Sequence, residues 1–208
     1  MAIEDKEIIL LKVSGQDKPG VTAGLTSILA NYDAVILDIG QADIHDTLSL
    51  GILFQIKAGS SSAPVLKDLL FKGYELGIKV KFIPITIPDY ENWVKAQRKQ
   101  RYIINVLGES LTAAQLAAVT KIMSDQNLNI DSIIRLTGRT SIVDKEEYPR
   151  SCVQLSVTGS IVDKTVMTAS FMEISRTLDV DISFQEDNMY RRNRRLVCFD
   201  MDSTLIQT

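Results

Sequence analysis

What most constrains this chain is a run of strand, helix, strand, strand, helix, strand that reaches residue 86 and begins again at Arg101. Residues 8–13 are aliphatic and β-branched, as a strand requires, and residues 14–20 gather two glycines and a proline into a turn. Val21, Leu25, Ile28 and Leu29 then fall on one face of a helix. Residues 35–44 read as a second strand, and past a turn at residues 45–47 comes strict alternation. Leu48, Leu50, Ile52, Phe54 and Ile56 point one way, with Ser49, Gly51, Gln55 and Lys57 opposite. Pro64 suits a first helical turn, Leu66, Leu69 and Leu70 mark the helix, and residues 78–86 make a fourth strand. This order predicts an α+β unit of ferredoxin-like βαββαβ topology, with both helices on one face of an antiparallel sheet.

The restart supplies the same parts. Residues 101–107 are a strand, and Leu116, Val119, Ile122 and Met123 mark a helix. Residues 128–136 are a strand, and residues 137–150 a long polar excursion. Val153, Leu155 and Val157 alternate along the return strand. Met167, Phe171, Ile174 and Leu178 give a second helix, and residues 181–186 close the unit. A repeat of roughly 90 residues that holds a whole βαββαβ unit is a tandem domain pair, not a solenoid. The expected division is residues 1–86 and 101–186, joined by a polar, proline-marked connector at 87–100 in which Tyr90 and Trp93 serve as apolar anchors.

Several function classes have little support. A net charge of −3 gives no general reason to expect nucleic acid or an anionic membrane as partner. No apolar run approaches the roughly 20 residues that cross a bilayer, and the charged first residues lack a signal-peptide core, so a cytoplasmic location is expected. Cys152 and Cys198 are expected to be reduced, buried small side chains. His45, between Asp43 and Asp46, reads as a solvated turn residue rather than a general base. Arg191, Arg192, Arg194 and Arg195 read as a linker, residues 187–195, that pairs with acidic surface; Glu186 and Asp187 beside Arg191 suit helix-spaced ion pairs.

Chemistry concentrates near Thr208. Val197, Cys198 and Phe199 form a short apolar run that leads into Asp200 and Asp202, then Ser203 and Thr204. An open α/β sheet places its active site at the carboxyl end of such a strand. From the residues alone, two acids one residue apart suit either a hard-cation site or a helix cap with a neighbouring acid.

Two resemblances narrow this. The first unit, with Gly15, Asp17, Lys18, Pro19 and Gly20 between its first strand and helix, resembles the ACT domain family, ferredoxin-like modules that often bind amino acids and regulate metabolic enzymes. That resemblance implies a ligand site in which Gly15 and Gly20 allow close approach and the helix start receives a ligand carboxylate. Asp17 would pair with the ligand's ammonium group. The plainer reading is a tight turn before a helix. The second unit's loop, residues 107–112, lacks these residues and is expected to be structural.

The string Asp200-Met201-Asp202-Ser203-Thr204 after an apolar strand resembles the first motif of the haloacid dehalogenase superfamily. With the tandem units ahead of it, it is similar to the long form of the phosphoserine phosphatase family. The resemblance implies that Asp200 is the nucleophile, that Asp202 is the general acid and base, and that Thr204 supports the turn. It also implies magnesium at the Asp200 carboxylate and the Asp202 backbone carbonyl, O-phospho-L-serine as substrate, L-serine or another amino acid as effector, and a homodimer. Rivals are a stand-alone amino-acid-binding ACT regulator and a phosphatase for another phosphometabolite. Residues 196–208 would be the start of an incomplete α/β domain, so this chain alone is expected to be inactive. Incubated with O-phospho-L-serine and magnesium, the 208-residue chain should release no phosphate above background, and turnover would refute this.

Overall fold

The computed structural model describes residues 6–57, 61–96, 99–139, 141, 143 and 150–188. The chain divides into two compact units, Met1–Ala96 and Gln97–Thr208. The first holds β1 (Glu7–Gln16), α1 (Val21–Asn31), β2 (Val35–Ile44), β3 (Thr47–Ile56), α2 (Ala63–Leu76), β4 (Lys79–Ile85) and α3 (Ile87–Ala96). Its sheet runs β2-β3-β1-β4, every pair antiparallel. The second holds β5 (Arg101–Gly108), α4 (Ala113–Asp125), β6 (Leu128–Arg135), β7 (Ser151–Gly159), α5 (Lys164–Leu178) and β8 (Asp181–Glu186), with sheet order β6-β7-β5-β8. Both are ferredoxin-like α+β units, as the doubled pattern predicts.

Each unit has its own core between one sheet face and its helices. In the first, Leu48, Leu50, Ile52, Phe54 and Ile56 of β3 are buried, with Ile9, Leu11 and Val13 of β1 beside them. Val21, Leu25 and Leu29 of α1 and Val65 and Leu69 of α2 cover that face. Burying each such side chain contributes about 1.5–3 kcal/mol. The second core joins Tyr102, Ile104 and Val106 to Val153, Leu155 and Val157, under Val119, Met123, Met167 and Phe171. At the first unit's surface, Tyr32 donates to the Asp68 carboxylate at 2.6 Å and so ties the end of α1 to α2. That hydrogen bond, ahead of desolvation and the carboxylate's charge, raises the Tyr32 pKa above the usual phenol value.

The edge strands β2 and β6 share a device. Register shifts between Ile36 and Asp38 against β3, and between Ile130 and Ser132 against β7, so each edge carries a bulge at the same relative place. β2 also leaves Val35, Ile36, Ile39 and Ile44 exposed. The excursion after β6 is described only in part. No described helix is long and apolar enough to cross a membrane.

One expectation, the burial of Cys152, needs correction, and two are refined by the structure. Leu70 is 52% exposed, whereas Val65, Leu69 and Gly73 form the inward stripe of α2, because i, i+4 and i+8 share a face and Leu70 lies about 100° away from Leu69. Residues 87–96 of the connector form α3, started by a Thr86 hydroxyl that donates to the Asp89 carboxylate at 2.6 Å and accepts from the Asp89 amide at 3.2 Å. Cys152 is a free thiol but only half-buried, because it faces outward on β7; desolvation raises its pKa. Cys198 lies outside the described residues. Asp187 faces Arg101 at 3.8 Å, while Arg191 is outside the described residues.

Two helical glycines separate propensity from packing. A Cβ on Gly73 would lie 2.5 Å from Val80 Cγ2, whereas the tightest neighbour of one on Gly24 would be the flexible Lys72 Cε at 3.1 Å, with Leu76 Cδ1 at an ordinary 3.7 Å. Alanine gains up to about 1 kcal/mol over glycine in a helix, and overpacking costs about 1–3 kcal/mol. In urea melts Gly24→Ala should therefore stabilise the protein by several tenths to about 1 kcal/mol, and Gly73→Ala should destabilise it by about 1–2 kcal/mol.

Candidate functional site

The candidate site is the junction between β1 and α1. β1 continues to Gln16, the chain turns through Asp17 to Pro19, and Gly20 at φ 95 caps α1. Only glycine adopts that left-handed conformation without a Cβ penalty, and it brings the chain straight into the helix. Gly15 has a packing reason as well, since a Cβ there would lie 2.9 Å from Ile78 Cγ2. The Asp17 amide donates to the Asp46 carbonyl at 2.9 Å, pinning the loop to the turn between β2 and β3. His45 stands in that turn at φ 55, exposed, with Asp46 at 3.8 Å.

No side chain caps α1, and its first turn holds no acidic residue. Helix-start amides and the helix dipole favour a negative group there. The exposed Asp17 brings a carboxylate into the same loop. A positive helix end and a carboxylate together suit a small zwitterion such as a free amino acid. Sequence reasoning misses the contribution of β2: the Thr22 hydroxyl donates to Gln41 Oε1 at 3.0 Å, linking the first turn of α1 to the edge strand. The two residues are 19 apart, and only the fold brings them together.

The second unit closes the corresponding position with its own side chains. Thr112 Oγ1 accepts from the Gln115 amide at 3.2 Å, and Gln115 Oε1 accepts from the Thr112 amide at 2.8 Å. Gln115 Nε2 then donates to the Leu178 carbonyl at 2.9 Å, so this capping box also anchors α4 to the end of α5. Among the described residues no group of three or more histidines, cysteines or acids is placed to hold a metal ion. Asp200, Asp202 and Thr204 lie outside the described residues, as does the arginine cluster.

Two ferredoxin-like units in tandem, one with an open helix start beside an exposed edge strand, define a class of small regulatory α/β-sandwich modules. The ACT domain family matches residues 7–83 and again residues 101–185. The chain carries two ACT domains in succession. Among curated relatives it is similar to "Phosphoserine phosphatase" of Streptomyces coelicolor, 30% identical over 203 residues, which cover 98% of this chain and 46% of that protein. It is also similar to "Phosphoserine phosphatase SerB2" of Mycobacterium tuberculosis, 25% identical over 202 residues, 97% of this chain and 46% of that one. The chain thus spans about half the length of these relatives. A crystal structure of an unknown protein from Galdieria sulphuraria has the same fold, with a TM-score of 0.68 at 15% identity, over 88% of this chain and 99% of that one.

The capping box gives a direct check. Thr112→Ala removes the hydroxyl that accepts from the Gln115 amide, while the backbone amide at 112 still donates to Gln115 Oε1, and should cost about 1 kcal/mol in chemical denaturation.

Proposed function

We propose that this chain is the regulatory region of a phosphoserine phosphatase, an enzyme that hydrolyses O-phospho-L-serine to L-serine and phosphate in serine biosynthesis. The observation that carries this reading is a relative of that name aligned over 98% of the chain, an extent that takes in the segment with Asp200 and Asp202. Asp200 attacks phosphorus in line, the bond to the seryl oxygen breaks, and an aspartyl-phosphate forms. Asp202 gives its proton to the leaving oxygen and then takes one from the water that releases phosphate. Thr204 holds the turn that aims both acids. The Asp200 carboxylate and the Asp202 carbonyl are hard oxygen donors suited to magnesium, which would offset repulsion between the carboxylate and the phosphate.

In this reading the ACT domains sense the end product and bring two chains together. L-serine sets its carboxylate at the start of α1 and its ammonium group at Asp17, with Gly20, where a Cβ would meet nothing within 4 Å, leaving room for close approach, while the space at Gly15 is taken by Ile78. Association uses the apolar edge of β2, whose Val35, Ile36, Ile39 and Ile44 are exposed.

Calorimetric titration of the 208-residue chain with L-serine should give saturable binding, weakened by about tenfold or more in Asp17→Ala, as expected for loss of a charge-assisted pair. Light scattering should give a dimer mass. Absence of binding sinks the sensing role, and a strictly monomeric mass sinks the association. For the catalytic assignment, Asp200→Asn in the complete gene product should lower phosphate release from O-phospho-L-serine by about a thousandfold or more. Full activity in that variant would remove Asp200 from the mechanism.

A further inference from the structure

The outward face of the first sheet carries an arrangement that neither the core nor the β1–α1 junction uses. Register sets it out in rungs from β2 to β4. One rung reads Gly40, Gly51, Lys12, Lys81, and the next Ala42, Ser49, Ser14, Lys79. Residues opposite one another across a ladder share a face. The small residues therefore make a floor, and three lysines make a wall at one side. The space over Lys12, Ser14, Ser49, Gly51, Lys79 and Lys81 is an open hollow of about 570 Å³.

Lys12 and Lys81 are direct cross-strand partners, and Lys79 is a diagonal neighbour of Lys12. Like charges placed so destabilise a sheet. Among the described residues none of the three lysines has an ion-pair partner. Asp38 shares this face but stands two strands from Lys12, and its carboxylate accepts from the Ile39 amide at 2.9 Å. Edge protection accounts for lysines on β4, but Lys12 is on the central strand β1.

The glycines have no internal reason either. Neither Gly40 nor Gly51 has a positive φ. A Cβ on Gly40 would meet nothing within 4 Å, and one on Gly51 would come no closer than 3.9 Å to Leu10 Cδ1 and 4.0 Å to the Gly40 carbonyl oxygen, both ordinary contacts. Glycine inside a strand weakens it, and often marks a place where something approaches the backbone closely. The second unit is an internal control. Ile134, Gln154, Asn105 and Ser183 occupy its corresponding rung, and Asn105 Nδ2 donates to Ser183 Oγ at 3.0 Å. The same topology thus forms without the lysines and without the glycines.

We propose that this hollow binds a small phosphate-bearing anion, either inorganic phosphate or a phosphate monoester. Three lysine side chains line this space, and their ammonium groups match a dianion with several oxygens, to which the Ser14 and Ser49 hydroxyls add donors. Lysine acts as a point charge toward phosphate, whereas planar carboxylates are better met by the arginine fork. Nucleic acid fits poorly, because the adjoining rung of Asp38, Leu53, Leu10 and Ile83 offers no aromatic ring for base stacking. The assignment is independent of the enzyme named above.

Calorimetric titration of the 208-residue chain with inorganic phosphate, and separately with glycerol 3-phosphate, tests it against sodium chloride of equal ionic strength. Saturable binding is expected with at least one, at a dissociation constant below about 1 mM. The double variant Lys12→Gln, Lys81→Gln should weaken it by about tenfold or more. In phosphate-free buffer that variant should melt no lower than the parent, because it loses a like-charge pair. Gly51→Val should remain folded by circular dichroism and lose binding, since Gly51 lines the hollow and the new side chain fills its floor. Tighter binding of glycerol 3-phosphate identifies a metabolite site, and equal or tighter binding of phosphate identifies a free-phosphate site. No saturable binding with either anion, or binding unchanged both in the lysine double variant and in Gly51→Val, overturns the proposal.

Discussion

The pairing of β1 with β3, from Glu7 against Ile56 to Gln16 against Thr47, fixes what every other part of the first unit can do. It sets Ile9, Leu11 and Val13 on the face that β3 fills with Leu48, Leu50, Ile52, Phe54 and Ile56. A slip of one residue would turn one strand's apolar side chains to solvent and carry Lys12 into the core. Burying an unpaired ammonium group there is far more costly than the loss of a few hydrogen bonds. The same register ends β1 at Gln16, beside Thr47. From there the Asp17 amide reaches Asp46, and the chain can turn into α1. Core, loop and outer face thus rest on one alignment.

The two units answer the same topological problem with different chemistry. Both start their first helix just beyond the central strand, yet α1 begins at a left-handed glycine and α4 at a threonine in a reciprocal cap. In one, the donors at the helix start are left without a side-chain partner. In the other, they are satisfied from within and tied to α5 through Gln115. The outer faces divide likewise, into lysines over glycines and an asparagine–serine hydrogen bond. A duplicated fold keeps its core pattern, because packing requires it, and is free to diverge wherever packing makes no demand.

Much of this architecture was legible in the sequence, because a strand with one buried face must alternate and β3 does so without exception. α3 was hidden because Pro88 and a polar composition read as connector, although Thr86 and Asp89 stand at capping-box spacing. The inward stripe of α2 was blurred because Leu66, Leu69 and Leu70 look alike on a leucine count, while Val65 and Gly73 complete the true face. The Gly15 to Gly20 loop stood out as a cluster of turn formers. The contact between Thr22 and Gln41 did not, and neither did the lysine wall, since Lys12, Lys79 and Lys81 meet only through strand pairing. Asp200, Asp202 and Thr204 stand on their motif alone.

The bulge in β2 has a bearing on how anything can add to that edge. Past the break at Ile36 and Asp38, the ladder with β3 runs in step from Asp38 to Ile44. An incoming strand therefore meets an even row of donors and acceptors along that stretch only, and beyond it must change phase or stop. The length of the regular row acts as a ruler: it admits a short partner in one alignment and interrupts the open-ended stacking that a long, flat edge would invite.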